Sequence, residues 1–287
     1  MSVRYPYVAV DVDADDADDA ASQLFELGAA GVESRDETTL ARGAAGKVTL
    51  IASFEGEEDA RAAANELPPG WSPRVEATVG DAWRDEWKRH FEPFSIAEGI
   101  VVCPPWRHYA PKAGESVVVL EPGRAFGTGL HETTSLVAQV LGEHVARFRG
   151  QPVLDVGCGS GVLSLVSLAL GAASARAVDV DPEAVLVTRE NALRNRLEGR
   201  VQADRSAVDT VAGQYAAVIA NIEATTLVEL APALMTRLAP GGLLILSGIL
   251  APDVAPAQID DVRAAYSALQ EESVPRQGEW VAVVLSK

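Results

Sequence analysis

The chain has 287 residues, 48% of them apolar, which is enough for two domains and a sizeable core. Its formal net charge of -17 excludes a protein that coats nucleic-acid duplexes, because phosphate contacts need clustered Lys and Arg. The two cysteines, Cys103 and Cys158, stand far apart without metal-ligand spacing, so a reducing compartment is expected and neither a disulfide framework nor a metal site is.

The first residues, MSVRYPYVAVDVDADD, have no apolar core of a signal peptide and soon run through six aspartates. The longest apolar runs, such as GGLLILSGIL (241–250), are too short to span a bilayer. A cytoplasmic protein without a membrane partner is expected. Residues 1–79 carry sixteen acidic side chains against six basic ones, a balance that can steer a basic partner. YPYVAVDV (5–12) predicts a strand and DADDADDAASQLFELG (13–28) a helix, with acids in its first turn and Gly28 past its end. GVES and TTLAR read as short strand pieces, KVTLIASF (47–54) as a strand, EEDARAAANEL (57–67) as a helix stopped by PPG, and SPRVEATV (72–79) as a closing strand. That order predicts a small ferredoxin-like α+β domain over 1–79.

A helical linker is expected over 80–92, where Trp83, Trp87 and Phe91 recur every four residues as a packing seam. PPW (104–106) breaks regularity. Over 93–287, strand patterns at SVVVLE (116–121), PVLDV (152–156), ARAVDV (175–180), YAAVIAN (215–221), LLILSGI (243–249) and EWVAVVLS (279–286) alternate with helices at 162–171, 181–199, 224–242 and 261–270. Asp181 fits the N-cap of the second of these and Pro182 its first helical position. Such alternation predicts an α/β fold with a doubly wound, mainly parallel, Rossmann-like sheet.

In such a sheet ligands bind beyond the carboxyl ends of the strands, where VLDVGCGSG (153–161) makes a strand, a tight turn and a helix start. Gly157, Gly159 and Gly161 follow the spacing G-x-G-x-G. The third glycine arrives one residue earlier than in the dinucleotide fingerprint, which disfavours a nucleotide-binding oxidoreductase. Asp179 lies twenty-two residues after Gly157 at the end of the next strand pattern, where a carboxylate can accept from both hydroxyls of a ribose. With Asp181 on the helix cap, Asp179 is left for that task.

These residues resemble class I S-adenosylmethionine-dependent methyltransferases. EPGRAFGTGLHETTSL, VLDVGCGSGVLSL, AVDVDPEA, VIANIEATTLVELAP, PGGLLILSGIL and the late GEWV are similar to successive signatures of the ribosomal protein L-eleven methyltransferase family. The likeness covers roughly 80–287 by motif, and 1–79 by domain order. It implies a substrate-recognition domain at 1–79 and a catalytic domain at 93–287, with S-adenosylmethionine as methyl donor and no metal. It further implies transfer to lysine ε-amino and N-terminal α-amino groups of a basic large-subunit ribosomal protein, free or in the ribosome. A lysine methyltransferase of the same lineage acting on another basic protein is the close alternative. No sequence-specific nucleic-acid contact is expected, and without a coiled-coil heptad or spare apolar helix a monomer is.

Position by position, the resemblance places cofactor contacts at Thr134, Gly157, Asp179 and Asn221, with Gly159 and Phe126 as further neighbours and Asp204 facing the adenine. Asn221 is also the candidate for orienting the substrate amine, and His131 a candidate proton acceptor. Glu223 stands where the family commonly has an apolar residue. Residues 121–136 are then the second wall of one site, with Thr133 and Thr134 starting the helix that follows.

Overall fold

A computed structural model describes residues 4–13, 16–29, 31–35, 47–54, 56–79, 91–121 and 131–287. They divide into two units, Met1–Phe91 and Glu92–Lys287. The TTLAR strand piece, Trp83, Trp87 and Phe126 fall outside the described residues.

In the first unit, β1 (Arg4–Asp13), α1 (Ala17–Glu26), β2 (Gly31–Arg35), β3 (Lys47–Ser53), α2 (Glu57–Glu66) and β4 (Arg74–Val79) follow one another. The sheet order is β2-β3-β1-β4 with every neighbouring pair antiparallel, the split βαβ arrangement. Alternation along β1 decides the faces: Val8, Val10 and Val12 enter a core with Leu24, Leu50 and Ala60. On the other face Asp11 accepts from Thr49 Oγ1 at 2.7 Å and Arg74 Nη1 at 2.6 Å.

The second unit opens with β5 (Phe94–Ala97), β6 (Ile100–Cys103) and β7 (Ser116–Val119), a separate three-stranded sheet in that order. Thus the SVVV strand, expected in the main sheet, belongs instead to a small sheet whose other members had no sequence signal. Four-residue strands such as IVVC are too short to show a period, and all of β6 is buried. Next come α3 (Glu132–Glu143), α4 (Val145–Phe148), β8 (Pro152–Val156), α5 (Val162–Ala169), β9 (Ser174–Val178), α6 (Pro182–Arg194), β10 (Val201–Asp204) and β11 (Tyr215–Asn221). The chain ends in α7 (Ala224–Arg237), β12 (Leu238–Leu250), α8 (Pro256–Ala265), β13 (Gln270–Ser273), β14 (Arg276–Gln277) and β15 (Trp280–Ser286).

The main sheet runs β10-β9-β8-β11-β12-β15-β13. The first five strands are parallel, and β15 enters antiparallel between β12 and β13. Both faces are covered, so neighbouring residues serve opposite cores: Ala217, Ile219, Leu243 and Ile245 pack on one side, Val218, Ala220, Leu244 and Leu246 on the other. This is why those strands read as continuous apolar runs.

The small sheet is joined to α6 by two asparagines that imitate a neighbouring strand. Asn195 Oδ1 accepts from the Val119 N–H at 2.8 Å while its Nδ2 donates to the Val119 carbonyl at 2.6 Å. One turn earlier Asn191, fully buried, accepts from the Glu121 N–H at 3.0 Å and donates to the carbonyls of Glu121 at 3.2 Å and Ser160 at 3.0 Å. An amide supplies donor and acceptor together, so it satisfies an edge strand as backbone would. Asn191→Ala, losing three buried hydrogen bonds worth about 1 kcal/mol each, is expected to destabilise the protein by ~2–3 kcal/mol in urea unfolding.

Candidate active site

Parallel strands that fan outward from β8 and β11 leave a crevice beyond their carboxyl ends, where the strand order reverses. A cavity of about 1140 Å³ lies there. It collects Thr134, Gly157, Gly159, Asp179 and Asn221, together with His131, Glu223 and Trp280.

The glycine turn follows β8. Gly157, Gly159 and Gly161 have φ of 71°, 52° and 79°, the left-handed region that glycine enters without a Cβ clash. A Cβ on Gly157 would collide with Ile222 Cγ2, so this position is closed to other residues twice over. The turn is anchored by the Gly157 N–H on the Val178 carbonyl at 2.8 Å and by Thr188 Oγ1 donating to the Gly159 carbonyl at 2.9 Å. Behind it Cys158 is buried, and burial first, then the nearby Asp155 charge, push its thiol far above the usual cysteine range. It is a packing group and not a nucleophile.

Asp179 does more than wait for a ligand. Its Oδ2 accepts from the Gly159 N–H at 2.9 Å and its Oδ1 from the Asp181 N–H at 3.0 Å, so it ties the glycine turn to the next helix. An ionised carboxylate has about four lone-pair sites, which leaves two for hydroxyl donors. Asp181 caps α6, accepting from the Glu183 N–H at 2.8 Å, with Pro182 in the first turn as the sequence leads one to expect.

Asp204 ends β10, two residues before the stretch Ser206, Ala207 and Val208 that lines the cavity. Its carboxylate accepts from Arg176 Nη2 at 2.7 Å and the Ser206 N–H at 2.9 Å. The hydrogen bond from the Arg176 guanidinium holds the Asp204 carboxyl well below the usual carboxylate range. Arg176 sits one strand away, on β9, and reaches across to it, a pairing that sequence order does not reveal.

The helix after residues 122–130 begins with an unexpected cap. α3 starts at Glu132 and its N-cap is His131, whose ring accepts the Thr133 N–H; Thr133 and Thr134 already lie inside the helix, both buried. Asn221, ending β11, donates through Nδ2 to Thr133 Oγ1 at 3.2 Å and Thr134 Oγ1 at 3.4 Å. The His131 ring meets Trp280 edge to face, with centroids 5.2 Å apart. Trp280 was legible only as part of the GEWV likeness.

One buried acid lies beneath the turn. Asp155, 1% exposed, accepts the Ser164 N–H at 3.0 Å and its hydroxyl at 2.7 Å, yet burial pushes its carboxyl up to about 6.

The sheet order, the left-handed glycine turn, the strand-end acid and the asparagine define a class I methyltransferase. The residues also fit S-adenosylmethionine: a cradle without Cβ atoms, a carboxylate with two acceptor sites left, and apolar walls from Val156, Val178 and Val208. The sequence model of a family described as Ribosomal protein L11 methyltransferase (PrmA) matches residues 4–287, and the chain belongs to that family. The match therefore includes the first unit, where the motifs alone offered only domain order. A ribosomal protein L11 methyltransferase of Sorangium cellulosum is 53% identical over 98% of this chain and 87% of its own length. Another, of Pelobacter propionicus, is 37% identical over 99% and 98%. The crystal structure of a ribosomal protein L11 methylase from Lactobacillus delbrueckii subsp. bulgaricus superposes with a TM-score of 0.61 at 31% identity, covering 69% of this chain and 99% of that one. The protein is thus an S-adenosylmethionine-dependent methyltransferase, and the oxidoreductase reading falls.

The Asp155 carboxyl has a consequence for stability. Its folded value of about 6 exceeds the unfolded one, so the folded state binds the extra proton in between. The associated stability is complete below about pH 4 and lost as pH rises through about 6. Wild type should gain on the order of 3 kcal/mol relative to Asp155→Asn between about pH 8 and about pH 4, measured by urea unfolding at each pH.

Proposed function

We propose that this enzyme methylates lysine ε-amino and N-terminal α-amino groups of ribosomal protein L11, free or in the large subunit, as a cytoplasmic monomer. The reading rests chiefly on the convergence of Asp179, Thr134, Gly157 and Asn221 on one cavity in a member of this family. S-adenosylmethionine, when bound, supplies a methyl group already activated by the sulfonium. In this proposal Asp179 accepts from the ribose hydroxyls, while Gly157 and Gly159 admit the ligand close to the backbone. Thr134 lines the same wall, and Asp204 is proposed to face the adenine side together with the lining stretch Ser206–Val208 that follows it. Phe126 remains a proposed neighbour of the ligand.

The chain must also manage the amine. A lysine in water titrates near about 10.4, and removal from water lowers that value, freeing the lone pair. Asn221 Nδ2 is engaged by threonine hydroxyls, so Oδ1 is the atom offered to an amine N–H. Holding the amine in one orientation supplies much of the rate. Asp209, Glu223 and Glu229 also line the cavity and favour an approaching cation. Residues 1–79, with their acidic surplus, are proposed to recognise the basic substrate, and 80–92 to connect them to the catalytic domain over 93–287.

The test is incubation of the enzyme with S-adenosylmethionine and unmethylated large subunits, read by intact-protein mass spectrometry. Increments of about 14 Da per methyl are expected on ribosomal protein L11 and should vanish when residues 1–79 are removed, with cofactor binding retained. Increments on another basic protein alone would move the assignment to that substrate. Asp179→Ala is expected to weaken S-adenosylmethionine binding by about 1.5–3 kcal/mol in calorimetry, and unchanged affinity would refute the ribose role.

A further inference from the structure

The hydrogen bonds around Asn221 have a direction. Asn221 Nδ2 donates to Thr133 Oγ1 at 3.2 Å, and that hydroxyl lies 2.9 Å from His131 Nδ1. The same ring nitrogen also takes the Thr133 backbone N–H at 3.4 Å. A nitrogen that accepts from a backbone amide presents its lone pair there, so in the neutral ring the proton is on Nε2. The single hydroxyl proton of Thr133 then points to His131, and its lone pairs face Asn221. The chain runs from carboxamide to hydroxyl to imidazole with one polarity.

Burial makes this polarity hard to reverse. Thr133 is 3% exposed, so its hydroxyl cannot trade these partners for water. If the Asn221 carboxamide flipped, its oxygen could take the Thr134 hydroxyl proton but would face the Thr133 lone pairs unless Thr133 withdrew its proton from His131. The ring that ends the chain is steadied by the Trp280 edge contact and by its place as the α3 cap. Because the Nδ1 lone pair is engaged, His131 is not poised there as the proton acceptor for the reaction.

We infer that Thr133, backed by His131, is a positioning residue: it fixes the Asn221 carboxamide so that Oδ1 presents to the substrate amine. This rests on the reading of Asn221 as the amine-orienting group. Thr134, whose hydroxyl takes the longer of the two bonds from Asn221, lacks the imidazole behind it and does not set the polarity.

The test measures steady-state methylation of purified, unmethylated ribosomal protein L11. Thr133→Val keeps the shape and loses the hydroxyl. It should lower kcat by about ten-fold or more, with the KM for S-adenosylmethionine within about two-fold and Tm nearly unchanged. Thr133→Ser should restore most of kcat. The decisive readout is coupling: adding Thr133→Val to Asn221→Ala should slow the enzyme by no more than about two-fold beyond Asn221→Ala alone, because both changes remove one function. Should the valine variant not fold, Thr133→Ala carries the same comparison. Wild-type kcat in Thr133→Val, or slowing that multiplies in the double variant, would overturn this inference alone. A wild type that leaves L11 unmethylated would overturn the proposed substrate and this inference together.

Discussion

The turn after β11 runs between two backbones that both lack a Cβ, and the active site is built around that squeeze. Ile222 sits where a Cβ on Gly157 would strike its side chain and a Cβ on Gly248 would strike its carbonyl. Its N–H is held by the Ser247 carbonyl at 3.1 Å. The wedge draws the ends of β8, β11 and β12 together at the point where strand order reverses, and it delivers the preceding residue, Asn221, to the cavity. Both glycines are left-handed, with φ of 71° and 84°. Replacing either would cost backbone strain as well as space.

The glycine turn was legible because its cause is local. Left-handed φ, an apolar strand before and a capped helix after all leave marks within a few residues. The doubly wound sheet was legible for a similar reason: both faces are buried, so its strands are uninterrupted apolar runs. Asp181 and Pro182 marked the start of α6 for the same kind of reason.

What stayed hidden depends on partners distant in sequence. Asp204 pairs with Arg176 on the neighbouring strand, a contact between residues twenty-eight positions apart that leaves no mark in sequence order. Asn191 and Asn195 read as unremarkable polar residues in a helix, although they complete the edge of another sheet. Thr133 and Thr134 were read as starting the helix, yet both lie inside it and the preceding histidine is the cap, since an imidazole nitrogen with its lone pair toward the helix can accept a backbone amide. Strands β5 and β6 were missed because four residues carry no readable period.

The carboxamide of Asn191 touches both glycine-rich stretches of the sequence, Glu121 at the start of one and Ser160 within the other. One fully buried side chain therefore bridges segments almost forty positions apart. Neither end can open by itself without stripping that amide of partners it has no water to replace. The two contacts belong to a single cooperative unit of local unfolding, so fraying at Glu121 and loosening of the glycine turn are expected to be one event. Substitution at this position is correspondingly narrow: aspartate would turn a charge toward two carbonyls, and leucine would offer neither donor nor acceptor.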